Sequence, residues 1–198
     1  MAYEARNFDH LLGLKGFCDQ LLQNHFKLYQ GYITNTNKLL DTLMQLVKEG
    51  KVAAPEFAEL KRRLGWEFNG MRLHELYFEN MSKTKKTLSE SSLLYKKIVE
   101  VFGSSQVSEQ AFMATGSMRG IGWVIMAYDP VGKRLFHLWI NEHDVGHLAG
   151  TVPLLILDVF EHAFMLDYGL NRAEYLHAFI NSIDWEVVEK RYMHALTS

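Results

Sequence analysis

The sequence predicts an α+β protein with a long antiparallel α-hairpin at its amino end and a C-terminal α/β half that carries a three-stranded antiparallel sheet. Apolar residues recur at three- and four-residue steps through most of positions 21–80, the period of amphipathic helices. Two aromatic and β-branched runs flank the turn chemistry of Asp129, Pro130, Val131 and Gly132, the pattern of a β-hairpin. A third apolar run, 152–157, ends at the carboxylate of Asp158. The change of period divides the chain into a helical hairpin unit over 1–82 and a mixed α+β unit over 83–198.

After an irregular lead, Leu21, His25, Leu28, Tyr29 and Tyr32 open the stripe of a helix over 21–48. Leu39, Leu40, Leu43, Leu46 and Val47 continue it, and Gly50 ends it. Pro55 opens a second helix to about Asn80, in which Phe57, Leu60, Leu64, Met71, His74, Leu76 and Phe78 alternate with charged residues. Two long helices joined by a short turn become antiparallel neighbours. The basic residues Lys83, Lys85 and Lys86 read as a solvated connector. A third helix is expected over 93–101 with Ser91 or Ser92 as its N-cap, and a short one over 104–114. Strands follow over 122–128, 134–140 and 152–157, and helices over 175–179, opened near Asn171, and 185–192 close the chain.

A chain of 198 residues, 48% of them hydrophobic, can bury a sizeable core. With 21 basic and 23 acidic residues, the net charge of -2 gives no electrostatic case for nucleic acid or an anionic membrane as partner. No apolar run approaches the roughly 20 residues of a membrane span. The segment from Met1 to Asn7 lacks the layout of a secretory signal, and the single Cys18 excludes an internal disulfide framework, so the cytoplasm is the expected location.

Chemistry concentrates around Leu157-Asp158-Val159-Phe160-Glu161-His162-Ala163-Phe164. A strand end holds Asp158 rigid, and the turn that follows brings His162 back toward it. Such a pair is half of a metal site or a hydrogen-bonded structural pair, since neither group is buried without a partner. More ligands must come from the other histidines. His25 and His74 are the best candidates, each on the apolar face of one hairpin arm, where a metal-bound neutral imidazole is satisfied; a core histidine bonded to a carbonyl or carboxylate is the competing reading. Three imidazoles and one carboxylate suit iron or manganese rather than a thiolate-seeking metal. His10, His137, His177 and His194 have no comparable context.

The same stretch, with Leu166-Asp167-Tyr168, Asn171-Arg172-Ala173-Glu174-Tyr175 and 185–192, resembles the C-terminal signature of the iron/manganese superoxide dismutase family. Phe160 stands for a Trp and Phe164 for a Tyr of that signature. Tyr32-Ile33-Thr34-Asn35-Thr36-Asn37, His74-Glu75-Leu76-Tyr77-Phe78 and Gly120-Ile121-Gly122-Trp123 extend the likeness from about Leu21 to Tyr192. The resemblance implies a mononuclear iron or manganese ion held by His25, His74, Asp158 and His162, and disproportionation of superoxide to dioxygen and hydrogen peroxide. It further implies Tyr32 and His143 as catalytic groups, with His147 as an alternative to His143. Arg172 would lie at a substrate funnel, and Glu161 would bridge to the partner in a homodimer. Departures are a spacing from His25 to Tyr32 one residue shorter than usual, which makes Asn24 the ungapped match, and Tyr29 in place of a histidine. Two other readings follow from these departures and from the ligand types: a dismutase-fold protein without dismutase activity in a binding or structural role, and a metal oxygenase with open coordination positions.

Overall fold

The computed structural model describes residues 2–84 and 86–197. A 3-10 turn at Asp9–Leu11 precedes α1, Asp19–Lys48, and α2, Pro55–Glu79, which pack as the antiparallel hairpin. Then come α3, Leu93–Phe102, and α4, Ser105–Gly116. The strands are β1, Gly122–Asp129, β2, Arg134–Asn141, and β3, Val152–Asp158. A 3-10 turn at Glu161–Ala163 leads to α5, Met165–Tyr168, α6, Arg172–Ser182, and α7, Trp185–Ala195.

Helix ends are set by the residues that precede them. Ser92, Ser104 and Asn171 each accept a bond from a backbone N–H in the first turn of α3, α4 and α6, satisfying donors that a helix leaves open there. Pro55 at the start of α2 needs no such partner.

The sheet order is β2-β1-β3, with both pairs antiparallel. Every residue of the central strand from Gly122 to Tyr128 is buried. Successive side chains point to opposite faces, so continuous burial means that both faces of β1 are covered. Register then fixes the functional end: Trp123 on β1 pairs with Asp158 on β3 and Ile140 on β2.

One core spans both halves, joining Phe8, Leu21 and Phe78 to Trp123, Ile156 and Tyr175. Polar ties reinforce it. Ser82 N–H donates to the Ser182 carbonyl at 2.8 Å, and Arg191 donates to the Asn80 side chain at 2.6 Å and to the Leu154 carbonyl at 2.8 Å.

The elements agree with the sequence pattern, with local exceptions. Leu28 and Val47, expected in the buried stripe, are 43% and 54% exposed. Val47 lies near the hairpin's far end, where apolar groups have fewer neighbours, and Leu28 borders a shallow depression beside His162. The basic connector lies at the surface and is bonded there: Lys83 donates to the Leu12 carbonyl at 3.1 Å and Lys86 to Glu186 at 2.9 Å, while Lys85 lies outside the described residues. The two 3-10 turns and the four residues of α5 are too short to leave a periodic signal.

Candidate metal centre

Four side chains from three parts of the chain converge. His25 comes from α1, His74 from α2, Asp158 from the last position of β3, and His162 from the 3-10 turn beyond it. One ligand atom from each lies within 4.8 Å of all the others. Asp158 Oδ2 is 3.1 Å from His25 Nε2, 3.2 Å from His162 Nε2 and 3.7 Å from His74 Nε2. His25, His74 and Asp158 are fully buried, and His162 is partly exposed.

The tautomer of His74 is fixed by α2 itself. Its Nδ1–H donates to the Gly70 carbonyl at 2.5 Å, which leaves Nε2 as a bare lone pair, buried and without a hydrogen-bond partner. An orphaned acceptor of this kind is costly unless something positive faces it. Burial pushes the imidazoles of His25 and His74 down, so both are neutral and available as ligands. Burial works against the charge of Asp158, but the neighbouring His162 and His25 outweigh it and hold the carboxyl well below the usual range. The remaining oxygen, Oδ1, accepts from Phe160 N–H at 2.8 Å. Three imidazole nitrogens and a carboxylate oxygen fit an iron or manganese ion.

Beside this cluster, Tyr32 and His143 meet. Their Oη and Nε2 are 2.8 Å apart, and Trp123 Nε1–H donates to His143 Nδ1 at 3.0 Å. An indole can only donate, so His143 Nδ1 accepts, Nε2 carries the proton, and that N–H donates to Tyr32. Desolvation lowers the His143 pKa to about 4, and desolvation with the charges of Asp158 and Glu67 raises that of Tyr32 to about 12. Tyr32 lies flat against His74, with ring centres 5.1 Å apart, and fills the space that a side chain at Gly70 would need: a Cβ there would sit 2.5 Å from the tyrosine ring. Phe160 stacks on both His143 and His162, at 4.8 and 5.2 Å.

Burial decides between the neighbours that the sequence offered. Asn24 is exposed and accepts from Gln20, whereas His25 is turned inward. His147 is exposed and donates to the His143 carbonyl at 2.9 Å, so it braces the loop while His143 faces Tyr32. The helix α1 runs unbroken past the shortened spacing. Tyr29 donates to the buried Glu75 at 2.9 Å. Phe164 is buried in its own chain against Tyr175. Arg172 donates to the Met118 and Gly120 carbonyls at 2.7 and 2.9 Å, and its guanidinium lies 5.2 Å from the centre of the Phe164 ring. Glu161 is exposed beside His162.

Several contributors were not singled out from sequence. Tyr175 donates to the Asp158 carbonyl at 2.6 Å and lies 3.1 Å from the Tyr77 hydroxyl, and Trp66 packs on Tyr32 and His143. Trp66, Gly70 and His74 share one face of α2 by their spacing of four, a signal that could have found Trp66.

The chain is similar in sequence to known proteins. The profile described as iron/manganese superoxide dismutases, C-terminal domain, matches residues 90–191. A superoxide dismutase [Fe] of Aquifex pyrophilus is 32% identical over 195 residues, covering 95% of this chain and 91% of its own. A superoxide dismutase [Fe] of Saccharolobus solfataricus is 33% identical, covering 85% of this chain and 82% of its own. A superoxide dismutase [Mn] 2 of Haloferax volcanii is 32% identical, with 89% and 86% covered. A matching profile over more than half of the chain and relatives of this identity along nearly all of it establish that the chain belongs to the iron/manganese superoxide dismutase family.

Proposed function

We propose that this protein disproportionates superoxide to dioxygen and hydrogen peroxide at an iron or manganese ion held by His25, His74, Asp158 and His162. The observation that carries the reading is the convergence of these four donors within 4.8 Å, with a buried His74 Nε2 that nothing else satisfies. When bound, the ion supplies the electron exchange, oxidising one superoxide and reducing a second. Relatives bearing either metal in their names support the donor set as one that admits both.

The chain's own groups have distinct tasks in this reading. Asp158 contributes the negative charge that favours a more highly charged ion. Tyr32 accepts from His143 Nε2–H, so its own hydroxyl hydrogen is free to point toward the site, where a proton must reach the reduced substrate. Its raised pKa keeps that proton in place at neutral pH. Trp123 fixes the His143 tautomer, and Phe160 covers His143 and His162 with an apolar face that limits water.

A homodimer is part of the proposal, with Glu161 as the bridge. Support comes from an open depression around Glu161 and His162 whose rim includes Leu28, Met165 and Leu166, all exposed apolar side chains. Arg172 is proposed near the substrate path, acting through the loop carbonyls it holds as much as through its charge. None of the helices among the described residues is long and apolar enough to cross a membrane, and a cytoplasmic location is proposed on the single, unpaired Cys18.

The test is superoxide consumption by protein loaded separately with iron and manganese. Rapid turnover with at least one ion, abolished in His74→Leu, is expected; bound metal without turnover in either form would remove the reading.

A further inference from the structure

Resting on the assignment of Tyr32 and His143 as the pair beside the ion, we infer that Trp66 and Glu142 form a latch that positions His143 against Tyr32. Glu142 is one of only two non-glycine residues with positive φ among the described residues, at 52°. That left-handed turn sends adjacent side chains to opposite destinations: Glu142 is exposed and His143 is fully buried. The Glu142 carboxylate then reaches back across the site, where Oε2 accepts from Trp66 Nε1–H at 2.8 Å.

Trp66 connects three elements. Its ring meets that of His143 edge-on at 4.5 Å and lies 5.6 Å from that of Tyr32 on α1. The Arg63 guanidinium packs on the indole at 3.7 Å, is paired with Glu67 at 3.0 Å, and Glu67 in turn accepts from Asn35 on α1 at 3.4 Å. The His143 loop is therefore joined to the hairpin twice, once through the Tyr32 contact and once through Trp66. Trp123 already holds the ring at Nδ1, so this second attachment restrains the loop that carries the imidazole rather than the ring's own rotation. Both residues are positioning residues, acting on the site through His143.

The test uses nuclear magnetic resonance on metal-free protein labelled with nitrogen-15, followed by kinetics of the loaded protein. Glu142→Ala removes the acceptor, Glu142→Gln keeps an acceptor oxygen, and Trp66→Phe keeps the ring without the N–H. In Glu142→Ala, hydrogen exchange at the Trp66 indole is expected to rise about tenfold, the size of one lost hydrogen bond. The His143 ring signals are expected to broaden without a change of tautomer, which Trp123 sets, in both Glu142→Ala and Trp66→Phe, with kcat lowered at unchanged metal content. Glu142→Gln is expected to restore both signals. Wild-type ring signals and indole exchange in Glu142→Ala, or no rescue by Glu142→Gln, would overturn the latch while leaving the dismutase reading in place. Absence of turnover in the loaded wild-type protein would overturn that reading instead, and the resonance measurement would still judge the latch.

Discussion

Asp158 and His162 reach the centre from one continuous stretch at the end of β3, whereas His25 and His74 come from two helices far apart in sequence. On the strand side, position is set by backbone hydrogen bonds: the register of β1 against β3, the Tyr175 hydroxyl on the Asp158 carbonyl, and Phe160 N–H on the carboxylate. On the helix side it is set by packing. His25 is wedged among Tyr77, Phe78 and His74 with ring centres 4.9 to 5.3 Å apart, and His74 is covered by Tyr32 lying on Gly70. The contrast teaches that the two sides fail differently. A strand side held by directional bonds responds to changes of charge and donor, and a helix side held by close contact responds to changes of volume.

The largest effect is expected from Asp158→Asn. It keeps the shape but removes the negative charge that three imidazoles share, and iron or manganese affinity should fall by more than about 100-fold, beyond the loss typical of a partner outside the ligand set. Metal content after dialysis checks this. Gly70→Ala attacks the other side through volume alone. A Cβ 2.5 Å from the Tyr32 ring forces the tyrosine to move, and the cost is about 1–3 kcal/mol of stability, offset by about 1 kcal/mol of helix propensity. Turnover should drop while metal content holds, because no donor is replaced and His74 keeps its bond to the Gly70 carbonyl. Gly116→Ala is its control: the added methyl meets the flexible end of Leu176 at 2.9 Å, which can rotate away, so turnover should be unchanged.

How much of this was legible in the sequence follows the same division. The helices and strands could be read because their periods extend over many residues, and the Asp158–His162 pair because both members lie within one turn of each other. The helix-side candidates were readable only as apolar-face histidines, and it is burial that separates His25 from Asn24. Glu142 and Tyr175 depend on which elements meet in space, so no local pattern announced them, and Trp66 was marked only by its spacing of four from Gly70 and His74. Leu28 belonged to the right stripe, yet it lies exposed at the edge of the depression beside His162.

A smaller effect, spread over a pH range, compares the site with the sheet away from it. Desolvation holds His143 and His137 at about 4, below their ordinary value of 6.5. The unfolded chain therefore binds protons that the folded one does not between these values. The stability owed to each neutral ring is fully present above pH 6.5 and is lost as pH falls toward 4. The slope should be at most roughly 1.4 kcal/mol per pH unit for each histidine. Denaturant titration of metal-free protein across this range checks it, and His137→Gln should flatten the curve without altering turnover, since His137 stacks on Phe102 and lies outside the ligand cluster.

The most direct measurement is X-ray absorption at the metal edges of protein purified with both iron and manganese supplied, alongside the Asp158→Asn variant. The account expects a mononuclear ion of one of these metals, bound by imidazole nitrogens and a carboxylate oxygen, with a signature that changes or vanishes in the variant. A chain that takes up neither metal, or a spectrum identical in wild type and Asp158→Asn, would contradict it.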